Sequence, residues 1–153
     1  MKEEKIKAVN EKIVRDRGYR VESLELIAEE DLEFAERYHE IWVNIMQKPV
    51  LPRKVKELII MAVDCALGGI TFGRLAEGGI KCHGKGAIIH GATIEEVWEA
   101  ILVASLSGGI HVLEESIKPF LWLKAAVEKG EIKRRRVERT LRDRRPNKDR
   151  VRK

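Results

Sequence analysis

The chain has 153 residues, a formal net charge of +5 and a hydrophobic content of 44%. That length predicts one domain with a real core, and the longest uncharged stretch, residues 100–113, is too short and glycine-interrupted for a membrane span. The charged start excludes a secretory signal, so the two cysteines lead us to expect a cytoplasmic protein without structural disulfides. The charged fraction of 36% is typical of heat-adapted proteins.

The positive charge is concentrated at the C-terminal end of the chain. Residues 131–153 hold twelve Lys or Arg and four Asp or Glu, so this segment carries +8 and the rest of the chain −3. We expect a single helical domain over 1–130, followed by a solvated, flexible tail. Such a tail could bind nucleic acid through phosphates, although it has no aromatic side chains for stacking.

The spacing of apolar residues predicts helices almost throughout, and therefore an all-α bundle. The first helix covers 3–17 and ends at Gly18, and the stretch 19–26 is ambiguous between helix and strand. A second helix covers 31–47 and is expected to bury one apolar stripe. That stripe consists of Phe34, Tyr38, Ile41, Trp42 and Ile45.

The third predicted helix, residues 53–67, is apolar on most sides and should be central. The fourth covers 81–90, with Gly91 as its left-handed end. Gly84 and Gly86 inside it predict a close approach by another helix or a ligand.

Thr93 and Glu96 have capping-box spacing at the start of a fifth helix, over 94–106. The last helix is expected over 110–129, bent near Pro119.

Three segments in this order resemble the carboxymuconolactone decarboxylase family, which includes the alkylhydroperoxidase D-like proteins. They are "YHEIWVNIM", "LPRKVKELIIMAVDCALG" and "CHGKGAIIHGATIEEVWEAI", in a family-like core of about 38–106. The resemblance implies an all-helical fold, assembly into trimers or hexamers, and Glu57 and His83 at the positions of the family's glutamate and histidine.

The chain departs from the family pattern in two places. Gly79 and Ala76 occupy the positions of the paired redox cysteines, and "GGITFGRL", around residues 68–75, is an apparent insertion. The decarboxylase branch of the family also lacks the cysteine pair, so its absence is compatible with the resemblance. Without the two cysteines, disulfide-based peroxide reduction is disfavoured.

His83 is the main candidate for acid–base chemistry, because imidazole exchanges protons near neutral pH and a carboxylate can orient it. Glu57 is the expected partner, although Arg53, four residues earlier, offers it a simple helix ion pair. Asp64 lies seven residues after Glu57 on the same helix face and is a second candidate acid.

Cys82 is a candidate nucleophile, since a helix N-terminus favours a thiolate. Cys65 is expected to pack in the core, with a Cys65–Cys82 redox pair as the alternative. His90 shares a face with His83, but the spacing of helical zinc ligands is missing, so we expect neither metal nor cofactor.

The leading hypothesis is an enzyme that transfers protons on a small organic substrate through His83 and Glu57, in the manner of the decarboxylase branch, at a small apolar pocket. The first alternative is thiol-dependent hydroperoxide reduction at Cys82. The second is a non-catalytic helical assembly whose basic tail, 131–153, binds nucleic acid.

Overall fold

The computed structural model describes residues 1–68 and 74–134, and within them every regular element is helical. The elements in chain order are α1 (Lys2–Arg17), α2 (Glu22–Glu30), α3 (Leu32–Gln47), α4 (Arg53–Leu67), α5 (Arg74–Gly79), a π-helical segment (Ile80–Gly84), α6 (Lys85–Ile89), α7 (Ile94–Gly108) and α8 (His111–Glu128). The all-α prediction is confirmed. None of the described helices is long and apolar enough to cross a bilayer.

The ambiguous stretch after Gly18 forms a helix, α2. Gly18 ends α1 in the left-handed conformation, with φ of 87°. Leu24 and Ala28 then lie four residues apart and are both buried, whereas Leu26, which a strand would place on the same face as Leu24, is 58% exposed. The helical spacing of the buried residues resolves the ambiguity.

The predicted buried stripe on α3 is wrong. Phe34, Tyr38, Ile41 and Ile45 are 52%, 50%, 58% and 52% exposed, and Trp42 is only partly buried. The buried positions of this helix are instead Ala35, His39 and Met46. The helix turns His39 inward, where it hydrogen-bonds to Asp16 and to the buried Arg17 on α1.

Helix α4 is the centre of the bundle and contacts α3, α5, α6, α7, α8 and the π-helical segment. Its buried side chains include Met61 and Cys65, which pack into the main apolar core with Ile80, Ile101 and Leu123. The opposite side of α4 is open.

The residues on that open side of α4 are about half exposed, although the helix is central, as predicted. They are Ile59, Val63 and Leu67.

Residues 74–89 form one continuous helical stretch rather than a helix that begins near Lys81. Helix α5 leads directly into the π-helical segment, and α6 follows it. Cys82 and His83 therefore lie in the middle of a helical stretch, at a π-helical segment of the kind that is frequent at functional sites. The apparent insertion lies mostly outside the described residues.

The two predicted end signals around residue 92 are confirmed. Gly91 has φ of +99°, and Thr93 forms the capping box with Glu96 at the start of α7. Pro119 lies inside α8. The chain then continues to Ile132, which is buried in the main core, while the tail from 135 onward lies outside the described residues.

Candidate active site

His83 and Glu57 contact each other, as the leading hypothesis expects. The Nδ1 atom of His83, in the π-helical segment, lies 2.8 Å from Oε2 of Glu57, on α4. The Glu57 side chain is fully buried, whereas that of His83 is 16% exposed. The carboxylate is therefore internal, and the imidazole is the part of the pair that can meet a ligand.

Three donors surround the buried Glu57 carboxylate. Arg53 donates from Nε to Oε1 at 2.8 Å, and the Tyr19 hydroxyl donates to Oε2 at 3.3 Å. With His83, these donors provide the pairing that an internal carboxylate requires. The predicted Arg53–Glu57 ion pair is thus part of the site rather than an alternative to it.

Tyr19 belongs to this site, although no sequence motif singles it out. Its hydroxyl lies 3.0 Å from Nδ1 of His83, and the two rings meet edge to face at 5.5 Å. Burial and the nearby Glu57 charge raise the pKa of Tyr19 well above its ordinary value, so the phenol stays protonated and serves as a donor. The only feature of the sequence that marks Tyr19 is its position directly after Gly18, the residue that ends α1.

The Glu57 contact favours one tautomer of the His83 ring. A carboxylate accepts hydrogen bonds, so the 2.8 Å contact favours a proton on Nδ1. In the neutral ring Nε2 is then unprotonated and free to accept a proton from a ligand. Glu57 also stabilises the imidazolium that such a transfer creates.

The two glycines near His83 allow close packing, as their position in a helix predicts. A Cβ added at Gly86 would lie 2.9 Å from Cδ of Glu57 and 2.9 Å from Cε1 of Tyr19. A Cβ at Gly84 would lie 3.0 Å from Cδ2 of Leu123. Gly86 therefore lets the His83 helix lie directly against the carboxylate that orients the ring.

Asp64 is close enough to His83 to interact electrostatically. Burial raises the pKa of Asp64, and the His83 charge opposes that rise. A Cβ on Gly79 would lie 2.9 Å from its Oδ2 atom, so the carboxylate packs on the backbone of α5. Asp64 is thus a partly buried carboxylate whose charge interacts with that of His83.

The environment of Cys82 does not favour a thiolate. Burial raises the pKa of the Cys82 thiol, and the Lys85 charge only partly opposes this effect. The expected activation by a helix N-terminus is wrong because helix α5 precedes the cysteine. Cys65 is fully buried, burial also raises its pKa, and both thiols are free.

Within residues 1–68 and 74–134, no three His, Cys, Asp or Glu side chains group as ligands for a metal ion. Two clefts lined by described residues lie away from His83, one between α1 and α2 and the other between α1 and α3. The small apolar pocket expected near His83 stays a prediction.

No family model and no curated protein matches the chain. Among solved structures, it is similar to the crystal structure of a protein from Burkholderia xenovorans LB400 that is assigned as a carboxymuconolactone decarboxylase. The match covers 86% of this chain and 96% of that chain, with 21% identity and a TM-score of 0.69. At that identity the likeness concerns the fold, and it agrees with the resemblance carried by the three motifs. The chain therefore has the helical fold of the carboxymuconolactone decarboxylase type.

Proposed function

We propose that the chain is an enzyme that transfers a proton to or from a small organic substrate through Nε2 of His83. The observation that carries the proposal is the 2.8 Å contact between Nδ1 of His83 and the buried Glu57 carboxylate. Glu57 and Tyr19 act as positioning residues that fix the ring and its tautomer. General acid–base catalysis by such a ring contributes typically 10²- to 10⁴-fold in rate.

A decarboxylation of the kind named for the structural neighbour is the first reaction to test. In that reaction the bond between the carboxylate carbon and its neighbour breaks, carbon dioxide leaves, and the electron pair stays on the substrate. The His83 imidazolium donates its Nε2 proton to the neighbouring carbon, which holds the electron pair, and the ring returns to its neutral form. A proton from solvent then restores the imidazolium, so one proton is consumed for each carbon dioxide released.

The test is carbon dioxide release from carboxymuconolactone by the unmodified chain and by His83→Gln. We expect the substitution to lower kcat at least a hundredfold, because glutamine cannot exchange a proton. His111→Gln, at an exposed histidine on α8, is the matched control and should retain full turnover. Equal turnover by His83→Gln would contradict the proposal.

The raised pKa of Cys82 argues against the thiol-dependent alternative. Peroxide reduction requires a thiolate as the nucleophile, and burial disfavours that charged form. Acid–base chemistry at His83 is therefore the function that the site supports best.

We also propose that copies of the chain associate into the trimer or hexamer that the resemblance implies. The support is the apolar face of α3, formed by Phe34, Tyr38, Ile41 and Ile45, which is about half exposed. Ile41→Lys should shift the assembly to smaller species in light scattering. Glu36→Lys, on another side of α3, should not, and identical masses for both variants would contradict the use of this face.

A further inference from the structure

Three buried hydrogen-bond donors next to the Glu57–His83 pair have no partner among the described residues. They are Nη2 of Arg17, Nη2 of Arg53 and Nε1 of Trp42. Buried donors are nearly always satisfied in folded proteins, so an unpaired group requires an explanation. Three unpaired donors, on Trp42 and on the two arginines that contact its ring, indicate that a ligand pairs with them.

The three donors belong to one cluster centred on the Trp42 ring. The guanidinium carbon of Arg17 lies 4.2 Å from the ring centroid, and that of Arg53 lies 4.3 Å from it. Contact with the face of the indole attracts a cation but uses none of the N–H bonds, which lie in the guanidinium plane. The cation–π contacts therefore hold the two groups in place and leave their donors free.

The other hydrogen bonds of the two arginines are made through Nε. Arg17 donates from Nε to Nδ1 of His39 at 3.5 Å, and Arg53 donates from Nε to Glu57 at 2.8 Å. Arg17 also interacts with the Tyr19 side chain, and in both arginines Nη2 has no partner among the described residues. A guanidinium N–H group is well suited to donate a charge-assisted hydrogen bond to a carboxylate.

The charges around Trp42 are not balanced. Two guanidinium groups face one carboxylate, Glu57, and the Tyr19 phenol nearby is neutral. The next carboxylate, Asp16, is bonded instead to His39 and lies 3.6 Å from Arg15. Asp16 therefore reaches Arg17 only through the His39 ring, which accepts from Arg17. No carboxylate of the described residues bonds directly to Arg17, and a ligand with a single negative charge matches its guanidinium.

We propose that Arg17, Arg53 and Trp42 form a binding site for one carboxylate group of a small organic acid. The Arg53 side chain is 20% exposed, whereas Arg17 is 4% exposed, so Arg53 is the more accessible of the two arginines to a ligand. Because Arg53 also holds Glu57, the bound acid lies beside the acid–base pair. That the acid is the substrate rests on the proposed function; the existence of the site does not.

The test is a titration of ¹⁵N-labelled protein with sodium acetate, at constant ionic strength. The chain has three tryptophans, Trp42, Trp98 and Trp122, and Trp42→Phe assigns the relevant indole N–H signal. We expect a saturable shift of the Trp42 signal with acetate and none with acetamide, which has the same shape without the charge. The other two signals should stay in place and report an intact fold.

Arg53→Gln should raise the Kd for acetate about tenfold or more, since it removes a charge-assisted donor. Arg37→Gln is the matched control, because this exposed arginine pairs only with Glu33 in the described structure. Arg17→Lys keeps the charge but loses the fork, and it should also weaken binding. The proposal is overturned by an immobile Trp42 signal, by equal shifts of all three indoles, or by equal Kd values for Arg53→Gln and Arg37→Gln.

The carboxylate-binding site and the proposed function can be disproved independently of each other. His83→Gln should bind acetate as the unmodified chain does, because His83 supplies none of the three donors. Turnover without acetate binding would overturn the carboxylate site alone. Acetate binding with turnover unaffected by His83→Gln would overturn the proposed function alone.

Discussion

Two histidine–carboxylate pairs among the described residues, Glu57–His83 and Asp16–His39, are buried in opposite ways. In Glu57–His83 the carboxylate is fully buried and the histidine is 16% exposed. In Asp16–His39 the carboxylate is 29% exposed and the histidine is 1% exposed. The contact distances are similar, 2.8 Å and 3.0 Å, so the distance alone does not distinguish the pairs.

The difference lies in what the second ring nitrogen can do. Both nitrogens of His39 are occupied, since Nε2 contacts Asp16 and Nδ1 accepts from Arg17. The hydrogen bonds that His83 makes to described residues are all at Nδ1. The Asp16–His39 pair thus joins α3 to α1, whereas the Glu57–His83 pair leaves Nε2 available for the proton transfer that we propose.

The largest expected effect that separates the two pairs is on turnover. Glu57→Gln should lower kcat about a hundredfold or more, because the amide neither fixes the Nδ1–H tautomer nor stabilises the imidazolium. Asp16→Asn should leave kcat within a few-fold of the unmodified value. Steady-state kinetics of both variants tests this difference between the pairs. An equal loss of kcat in both variants would contradict it.

The next effect is on stability at the His83 helix. Gly86→Ala should destabilise the fold by about 1–3 kcal/mol, because the new Cβ would press on Glu57 and Tyr19 at 2.9 Å. Gly78→Ala, in α5, has nothing within 4 Å and should be neutral or stabilising by up to about 1 kcal/mol. Urea unfolding measures both, and a Gly86→Ala variant as stable as Gly78→Ala would contradict this packing.

The smallest effect is the pH dependence of the structural pair. Burial raises the pKa of Asp16, but the hydrogen bond from His39 and the nearby positive charges of Arg15 and Lys12 oppose it, and the pKa falls below its usual 3.8. A lowered pKa adds stability above the unfolded-state value and loses it as pH falls through the folded-state value. Since the carboxylate is partly exposed, Asp16→Asn should cost about 1 kcal/mol or less at pH 7.

The stability cost of Asp16→Asn should vanish at a pH below the Asp16 pKa of both the folded and the unfolded state. Thermal unfolding of Asp16→Asn and the unmodified chain at pH 7 and near pH 2 checks this. A stability difference that is the same at both pH values would show that the ionised Asp16 carboxylate does not stabilise the fold.

The helices could be predicted from the sequence because they depend on local signals. The Glu57–His83 contact joins residues 26 apart, and it could be expected only because the family resemblance places both residues at the family's site. Gly18, Gly91 and the Thr93–Glu96 capping box mark helix ends through backbone chemistry that tertiary packing does not override. The sequence predicts that the helix bearing His83 begins at residue 81, which is too late. The helical stretch begins at Arg74, because the π-helical segment continues directly from α5 and no capping signal marks the true start.

The inward face of α3 could not be predicted from hydrophobicity. The side chains that are buried there include His39, whose partners lie on a helix 22 or more residues earlier in the chain. Tyr19 was missed for the same reason, since it reaches Glu57 across 38 residues. Polar contacts between distant segments leave no periodic pattern, so only the fold brings them together.

The most direct test of the central claim is the tautomer of His83, observed by long-range ¹H–¹⁵N correlation in histidine-labelled protein above pH 8. The contact with Glu57 predicts a neutral ring protonated at Nδ1, with Nε2 bare, and a change of this pattern in Glu57→Gln. His83→Gln identifies the signal. A neutral ring protonated at Nε2 in the unmodified chain would contradict the account, because the atom assigned to proton transfer would then be unable to accept a proton.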